Sequence, residues 1–235
     1  MDNPKYSVIV PVYNRNDEVA DLLASLGRQT ERNFEVILVE DGSTEPCTDA
    51  VNRFGDNLNL QYYHKSNEGR SIARNYGIER SHGDMLIFFD SDCVIPEDYF
   101  EKLTKALESH PLDCFGGPDS AHQSFTPVQK AINFAMTSFL TTGGIRGGKV
   151  SMEKFTPRSF NMGYTRKVYN RTGGFREMFS EDIDMSTRIR NAGFSIGLIA
   201  DAPVWHKRRI DMNKFLRQVY VCGMSRITRK LLYPG

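Results

Sequence analysis

The sequence predicts an α/β fold: a doubly wound, mostly parallel sheet flanked by helices, in a single domain. Three observations carry this. The run Met85–Val94, MLIFFDSDCV, sends five apolar residues straight into two acids separated by one serine, which suits a strand covered on both faces and ending at the mouth of a site. Two further short runs rich in β-branched residues, YSVIVPVY at Tyr6–Tyr13 and FEVILVE at Phe34–Glu40, precede it. Strand and helix patterns alternate along this part of the chain, and such alternation means parallel pairing through right-handed connections.

Taken in order, the first strand is followed by Val19, Leu22, Leu23 and Leu26, whose offsets of three and four predict a helix. The second strand runs into Asp41, Gly42 and Ser43, where glycine permits a tight turn and the acid faces the same sheet edge as Asp90. Leu60–His64 reads as a strand and Gly69–Ser81 as a helix. After the DSD strand, Pro96, Glu97 and Asp98 open a helix that reaches His110.

The pattern then changes. Gly116, Gly117 and Pro118 break it, Pro127–Leu140 reads as an amphipathic helix, and Thr142–Lys149 holds four glycines in eight residues. That piece lacks the GxxxxGK[ST] spacing of a phosphate cradle, so it is expected to be a mobile loop over a site or a surface linker. Phe160–Tyr164 follows as a strand, with a turn at Gly173 and Gly174. Ser180–Asn191 reads as a helix with acids at its start and arginines near its end, as the helix dipole prefers. Phe194–Ala200 and Val204–His206 are expected as late strands, and Asp211–Leu232 as a basic helix. No internal repeat and no linker rich in Pro, Gly or Ser divides the chain.

Composition narrows the function. The net charge of +1 gives no global case for nucleic-acid binding. Residues 203–235, however, hold Lys207, Arg208, Arg209, Lys214, Arg217, Arg226, Arg229 and Lys230 against Asp211 alone, a balance that looks toward a polyanion or an anionic lipid surface, or makes a solvated basic helix. The four cysteines show no CxxC spacing and are too sparse for a disulfide scaffold, which suits the cytosolic side. No stretch reaches the roughly 18 apolar residues of a spanning helix, and the first apolar run is strand-like rather than signal-like.

Asp90 and Asp92 are the first candidates for chemistry. Two carboxylates so close repel unless a cation lies between them, and a hard divalent cation shared with substrate phosphates is one solution. A turn in which Asp caps the following helix is the other, and DSD alone admits both.

Six motifs settle the order of the site: PVYN at Pro11–Asn14, EDGS at Glu40–Ser43, NEGRSIARNYG at Asn67–Gly77, DSD at Asp90–Asp92, GGF at Gly173–Phe175 and ED at Glu181–Asp182. In that order the chain resembles family 2 glycosyltransferases of the GT-A fold, and among them bacterial members that build polysaccharides. The resemblance covers roughly residues 5–210. It implies a catalytic domain over 1–210, with a nucleotide-binding half to about residue 95 and an acceptor half from 96. Residues 211–235 would follow as a basic helix, cut before membrane helices in a longer protein.

The implied reaction is inverting, metal-dependent transfer of a sugar from a nucleotide sugar, with a UDP-sugar favoured, to a hydroxyl on a lipid-linked or saccharide acceptor. The place implied is the inner face of the cytoplasmic membrane. The implied roles are the following. Pro11, Tyr13 and Asp41 hold the base and ribose, and Asn67 and Gly69 open a helix beside the nucleotide. Arg74 contacts the diphosphate or braces the sheet edge. Asp92 and His206 hold Mg2+ or Mn2+, with Asp90 reaching the ribose, or the metal through water. Asp182 is the general base, and Glu181, Asn161, Met162 and Gly163 are candidates for the sugar or acceptor pocket. Glu40 stands where many relatives have Asp and is left out. A nucleotidyltransferase is the nearest alternative, although PVYNRND after the first strand lacks the glycine-rich loop such an enzyme needs. A non-catalytic nucleotide-sugar-binding module is the other alternative.

Overall fold

A computed structural model describes residues 3–120 and 155–207, isolated positions between 126 and 134, and Tyr220. The glycine-rich piece 142–149, most of 127–140 and the basic segment 211–235 apart from Tyr220 lie outside the described residues.

The first half alternates as the pattern requires: β1 (Tyr6–Val12), α1 (Asn16–Leu26), β2 (Phe34–Asp41), α2 (Thr48–Phe54), β3 (Leu60–Lys65), α3 (Arg70–Glu79) and β4 (Met85–Phe89). The second half holds β5 (Cys93–Val94), α4 (Tyr99–Ser109), β6 (Cys114–Gly116), β7 (Asp119–Ser120), β8 (Asn161–Thr165), α5 (Arg166–Thr172), α6 (Glu181–Asn191), β9 (Ile196–Leu198) and β10 (Val204–His206).

The main sheet has the order β3-β2-β1-β4-β8-β6-β9. It is parallel except at β8, which runs antiparallel to both β4 and β6. Side chains alternate across it as strand geometry dictates. Val8, Val10, Val12, Val36, Leu38, Ile87 and Phe89 pack on one side with α1 and α4. Ile9, Ile37, Val39, Leu86 and Phe88 pack on the other with α3 and α6. Every residue of β2 and β4 is buried, which is why their sequences read as continuous runs rather than polar alternation.

The strand expected to end in the two acids is β4, which stops at Phe89; the Asp90 carbonyl then turns the chain by accepting the Cys93 N–H at 3.1 Å. Residues 93 and 94 then join a second sheet of order β5-β10-β7. Three local expectations change. Gly116, expected as a break, ends strand β6 under Phe155 and Pro157, where a β-carbon would meet atoms at 2.9–3.0 Å. Phe194–Ala200 shortens to β9. The short helices α2 and α5 had no counterpart in the sequence reading.

Candidate active site

The strand order leaves β1 in both directions, toward β2 and toward β4, and the crevice outside the carboxyl ends of such strands is where open α/β sheets bind ligands. A cavity of about 400 Å³ opens there. It is lined by Pro11, Val12, Tyr13 and Arg15 after β1, Asp41 after β2, Asn67, Gly69, Arg70 and Arg74 around the start of α3, and Asp90, Ser91 and Asp92 after β4. The residues expected on the nucleotide side, Pro11, Tyr13, Asp41, Asn67, Gly69, Arg74 and Asp90, therefore share one wall system with Asp92.

Asp41 is held by three protein donors. Its carboxylate accepts from Lys65 Nζ at 2.8 Å, from the Glu68 N–H at 3.0 Å and from the Gly69 N–H at 2.8 Å. Burial pushes this carboxyl up, but Lys65 and the two amides outweigh it and hold it below its ordinary value. Gly42 lets the neighbouring turn close: its φ is +72°, and a β-carbon there would lie 2.5 Å from the Asn67 nitrogen. Asn14 does not cap α1. Its Oδ1 accepts the Thr44 N–H at 2.9 Å, tying the turn after β1 to the turn after β2. Glu40, left out of the site, is buried and accepts from Ser43, from the Cys47 N–H and from Tyr62. Tyr13 is 51% exposed and offers a bare ring at the rim.

Opposite this wall stands a chain of charges. Arg74 is 1% exposed and donates to Asp90 at 2.8 Å, to Glu181 at 2.8 Å and to Ser159 at 3.1 Å. Burial works against its charge, and Asp90 and Glu181 more than restore it. Of the two roles left open for Arg74, bracing is the one its hydrogen bonds serve. Arg70 also reaches Glu181, at 2.9 Å. Glu181 thus belongs to the frame between the cavity and α6. Asp182, the next residue, turns elsewhere: Oδ2 lies 3.3 Å from Arg158, and Oδ1 accepts the Ile183 N–H at 2.8 Å. Ser180, just before this pair, is left-handed at φ 64°, a conformation that costs a non-glycine residue about 1–3 kcal/mol. It is held because the Ser180 carbonyl accepts from both Ile183 and Asp184.

Asp92 and His206 meet through the small sheet, in which His206 is the cross-strand partner of Cys93. Asp92 Oδ1 lies 3.0 Å from His206 Nε2, yet it is buried without an aligned hydrogen bond. Burial raises the Asp92 carboxyl, but His206 and then Arg15 overcome this and keep it below its ordinary value. Asp92, Cys93 and His206 place one donor atom each within 4.8 Å of one another. A charged carboxylate oxygen facing an imidazole nitrogen, with no hydrogen bond satisfying it, fits a divalent cation better than it fits a closed polar pair. Neither Asp90 nor Asp92 caps a helix, so the capping alternative for DSD does not apply.

Asn161, Met162 and Gly163 do not line the cavity. Asn161 is fully buried, with its amide given to the Ala202 carbonyl at 2.9 Å and its oxygen accepting from Tyr99 at 2.6 Å. Met162 is core, and Gly163 lies under Phe115, whose ring would be 2.3 Å from an added β-carbon. Conversely, Arg15, Arg70 and Ser91 line the cavity although no role was expected of them, and Arg158 and Asp119 lie beside Asp182 and His206 through contacts with partners distant in the chain.

The sequence matches the profile described as glycosyl transferase family 2 over residues 7–180. The chain belongs to that family. An uncharacterized glycosyltransferase of Rickettsia bellii (strain RML369-C) is 41% identical over 106 residues, covering 45% of this chain and 15% of that protein. EpsJ of Bacillus subtilis (strain 168), an uncharacterized glycosyltransferase, is 28% identical over 185 residues, 77% of this chain and 52% of its own. Among solved structures, residues 1–349 of S. aureus TarS in complex with UDP-GlcNAc superpose with a TM-score of 0.66 at 22% identity, over 87% of this chain and 59% of that one. The mannosyltransferase PcManGT from Pyrobaculum calidifontis, in complex with GDP-Man and Mn2+, gives 0.66 at 19% identity over 88% and 58%. These likenesses establish the GT-A fold for this glycosyltransferase family member. The chain spans 15–18% of the length of the first curated relatives it matches.

Proposed function

We propose that this family 2 member is the catalytic part of an inverting glycosyltransferase. It takes a nucleotide sugar, a UDP-sugar first, and transfers the sugar to a hydroxyl on a saccharide or lipid-linked acceptor in bacterial polysaccharide or glycolipid synthesis. The observation that carries the reading is the cavity at the sheet's switch point, which gathers Asp41, Asp90 and Asp92 with Arg15, Arg70 and Arg74. TarS and PcManGT, with the same fold, were solved with UDP-GlcNAc and with GDP-Man, which supports a nucleotide-sugar donor here.

In this reading Tyr13 and Pro11 flank the base, and the free lone pairs of the Asp41 carboxylate accept from it. Asn67 and Gly69 hold the backbone that shapes the ribose side, and the exposed edge of Asp90 faces the ribose. Arg15 and Arg70 offset the charge of the diphosphate, and Arg74 braces the wall behind them. Asp92 and His206 hold Mg2+ or Mn2+, and PcManGT was solved with Mn2+; such a cation supplies Lewis-acid stabilisation of the leaving diphosphate. Asp182 takes the proton from the acceptor hydroxyl as that oxygen attacks the anomeric carbon from the face opposite the diphosphate. Arg158 keeps the Asp182 carboxylate oriented, and the Glu181–Arg74–Asp90 chain fixes its distance from the donor. The catalytic domain in this proposal spans 1–210, and the cations of 203–235 meet anionic headgroups of a membrane at about 1 kcal/mol each near the surface.

The deciding experiment is a panel of UDP- and GDP-sugars assayed for donor hydrolysis with Mg2+ or Mn2+. Cleavage of at least one donor, lost on chelation and lost in Asp92→Asn, is the expected result. Binding and cleavage of no nucleotide sugar with either metal refutes the proposal.

A further inference from the structure

We propose that Arg158 forms an acceptor subsite beside the base: its guanidinium fork takes an oxyanion, a carboxylate or a phosphate, carried by the acceptor near the hydroxyl that receives the sugar. The inference rests on the glycosyl-transfer reading above and names the chemical class of acceptor, which that reading leaves open.

Arg158 lies in the segment that leads into β8, where three consecutive residues touch different parts of the site. Arg158 Nη1 donates to Asp182 Oδ2 at 3.3 Å. Ser159 accepts from Arg74 at 3.1 Å, and Phe160 stacks on the His206 ring with centroids 5.0 Å apart. The guanidinium therefore stands next to the proposed base, between α6 and the small sheet. Neither Arg158 nor Asp182 lines the cavity at the switch point, where Arg15 and Arg70 supply the cations that face a diphosphate.

The guanidinium carries five N–H donors, and those of Nε and Nη2 form one planar fork. In Arg158 this fork is unspent. Only Nη1 reaches an acceptor among the described residues, and Nε is buried with no hydrogen-bond partner. Arg74 also keeps Nε without a partner, but both its Nη nitrogens are spent on Glu181, Asp90 and Ser159, so no fork remains there. The Arg158 side chain keeps 25% of its surface exposed, which leaves room for a ligand to approach. Two parallel charged donors match the two oxygens of a carboxylate or phosphate, through bonds roughly twice as strong as neutral ones. Asp182 Oδ2 has a second lone pair beside the one Arg158 uses. A hydroxyl donating to it lies next to the guanidinium, so an anion on the same sugar or on the unit beside it falls on the fork.

The test uses the 235-residue chain with UDP and Mg2+ filling the donor cavity. 15N-edited NMR of the arginine Nε–H groups, with the Arg158 signal assigned by Arg158→Lys, follows titrations with methyl glucuronide, glucose 6-phosphate and methyl glucoside at constant ionic strength. A saturable shift of the Arg158 signal with the carboxylate or the phosphate probe, and none with the neutral one, is the expected result. Which anion produces it separates an acidic sugar from a phosphate-bearing acceptor. Arg158→Gln is expected to weaken that anionic probe about 10–100-fold, as loss of hydrogen bonds to a charged group does, with an unchanged circular dichroism spectrum. Arg158→Lys, which keeps the charge and loses the fork, should fall between. Equal shifts with neutral and anionic probes, no shift with any of them, or unaltered anion affinity in Arg158→Gln overturn the proposal. A shift produced by UDP and Mg2+ alone, to which no probe adds, assigns the fork to the donor and overturns it too. Failure of the donor panel above with the anion-dependent shift still present refutes the transferase reading; an active donor without that shift refutes the subsite alone.

Discussion

Glu181 and Asp182 are adjacent acids at the start of α6, and the structure assigns them opposite kinds of failure when changed. Glu181→Ala leaves the Arg74 guanidinium, 1% exposed, with Asp90 and Ser159 but without its buried partner at 2.8 Å. Removing one member of a buried ion pair costs about 3–5 kcal/mol. For a domain of this size each kcal/mol lowers Tm by about 2–4 °C, so a fall of about 6–20 °C is expected in a thermal melt. Asp182→Asn is different. The amide oxygen can still accept the Ile183 N–H, and the pair with Arg158 at 3.3 Å is partly open to solvent, so the change in Tm is expected to stay within about 2–4 °C, as for about 1 kcal/mol. Turnover should fall at least about 100-fold, equivalent to about 2.7 kcal/mol of barrier, because the amide cannot take a proton. Donor affinity should be unchanged, since Asp182 is absent from the lining of the cavity. The assay is kcat for transfer beside the Kd for donor. Equal losses of affinity and kcat in Asp182→Asn, or a Tm change in Glu181→Ala no larger than in Asp182→Asn, refute this division.

Other predictions follow from the same contacts. Asp92→Asn is expected to abolish nucleotide-dependent retention of Mn2+ in equilibrium dialysis, and near-normal retention contradicts the metal site. Gly163→Ala should destabilise by about 1–3 kcal/mol, because the new methyl meets Phe115 at 2.3 Å and 2.7 Å; a melt unchanged from wild type contradicts the packing. Acid should weaken the fold through Glu35 and Asp41. Burial raises both carboxyls, but the His82 N–H and Ser7 at Glu35, and Lys65 at Asp41, lower them further, leaving both below their ordinary values of 4.5 and 3.8. A depressed folded pKa means stability that is complete above those values and lost as pH falls below them. Denaturant midpoints measured from pH 6 to pH 3 should therefore decline below about 4.5, and less steeply in Asp41→Asn.

What the sequence could reveal depended on how local the determinant was. Strand ends are local: an apolar run that stops in an acid marks both the strand and the edge it reaches, so the common sheet edge of Asp41, Asp90 and Asp92 was legible, whereas Pro11 and Tyr13 rested on the family resemblance. Partners were not legible. Arg74 meets Glu181 across 107 residues, and nothing near Arg74 distinguishes a brace from a phosphate ligand. Asn161–Gly163 misled for the complementary reason. A polar residue and a glycine on a strand look like a pocket, but Tyr99 and Ala202 consume the Asn161 amide, and Phe115 fills the space over Gly163. The short strands β5, β7 and β10 carry too few residues for any period, so the sheet that joins Asp92 to His206 emerges only from their pairing.

That small sheet and the Glu181 brace answer one geometric problem. Neighbouring residues on a helix point about 100° apart, so Glu181 and Asp182 cannot face the same partner. Anchoring Glu181 to Arg74, which is itself anchored to Asp90 beside the cavity, therefore fixes which way Asp182 points. Under the proposed function, the base Asp182 is thereby oriented by a buried ion pair and the metal ligand Asp92 by His206, and charged groups held in place by such partners are those that contribute most to a transition state.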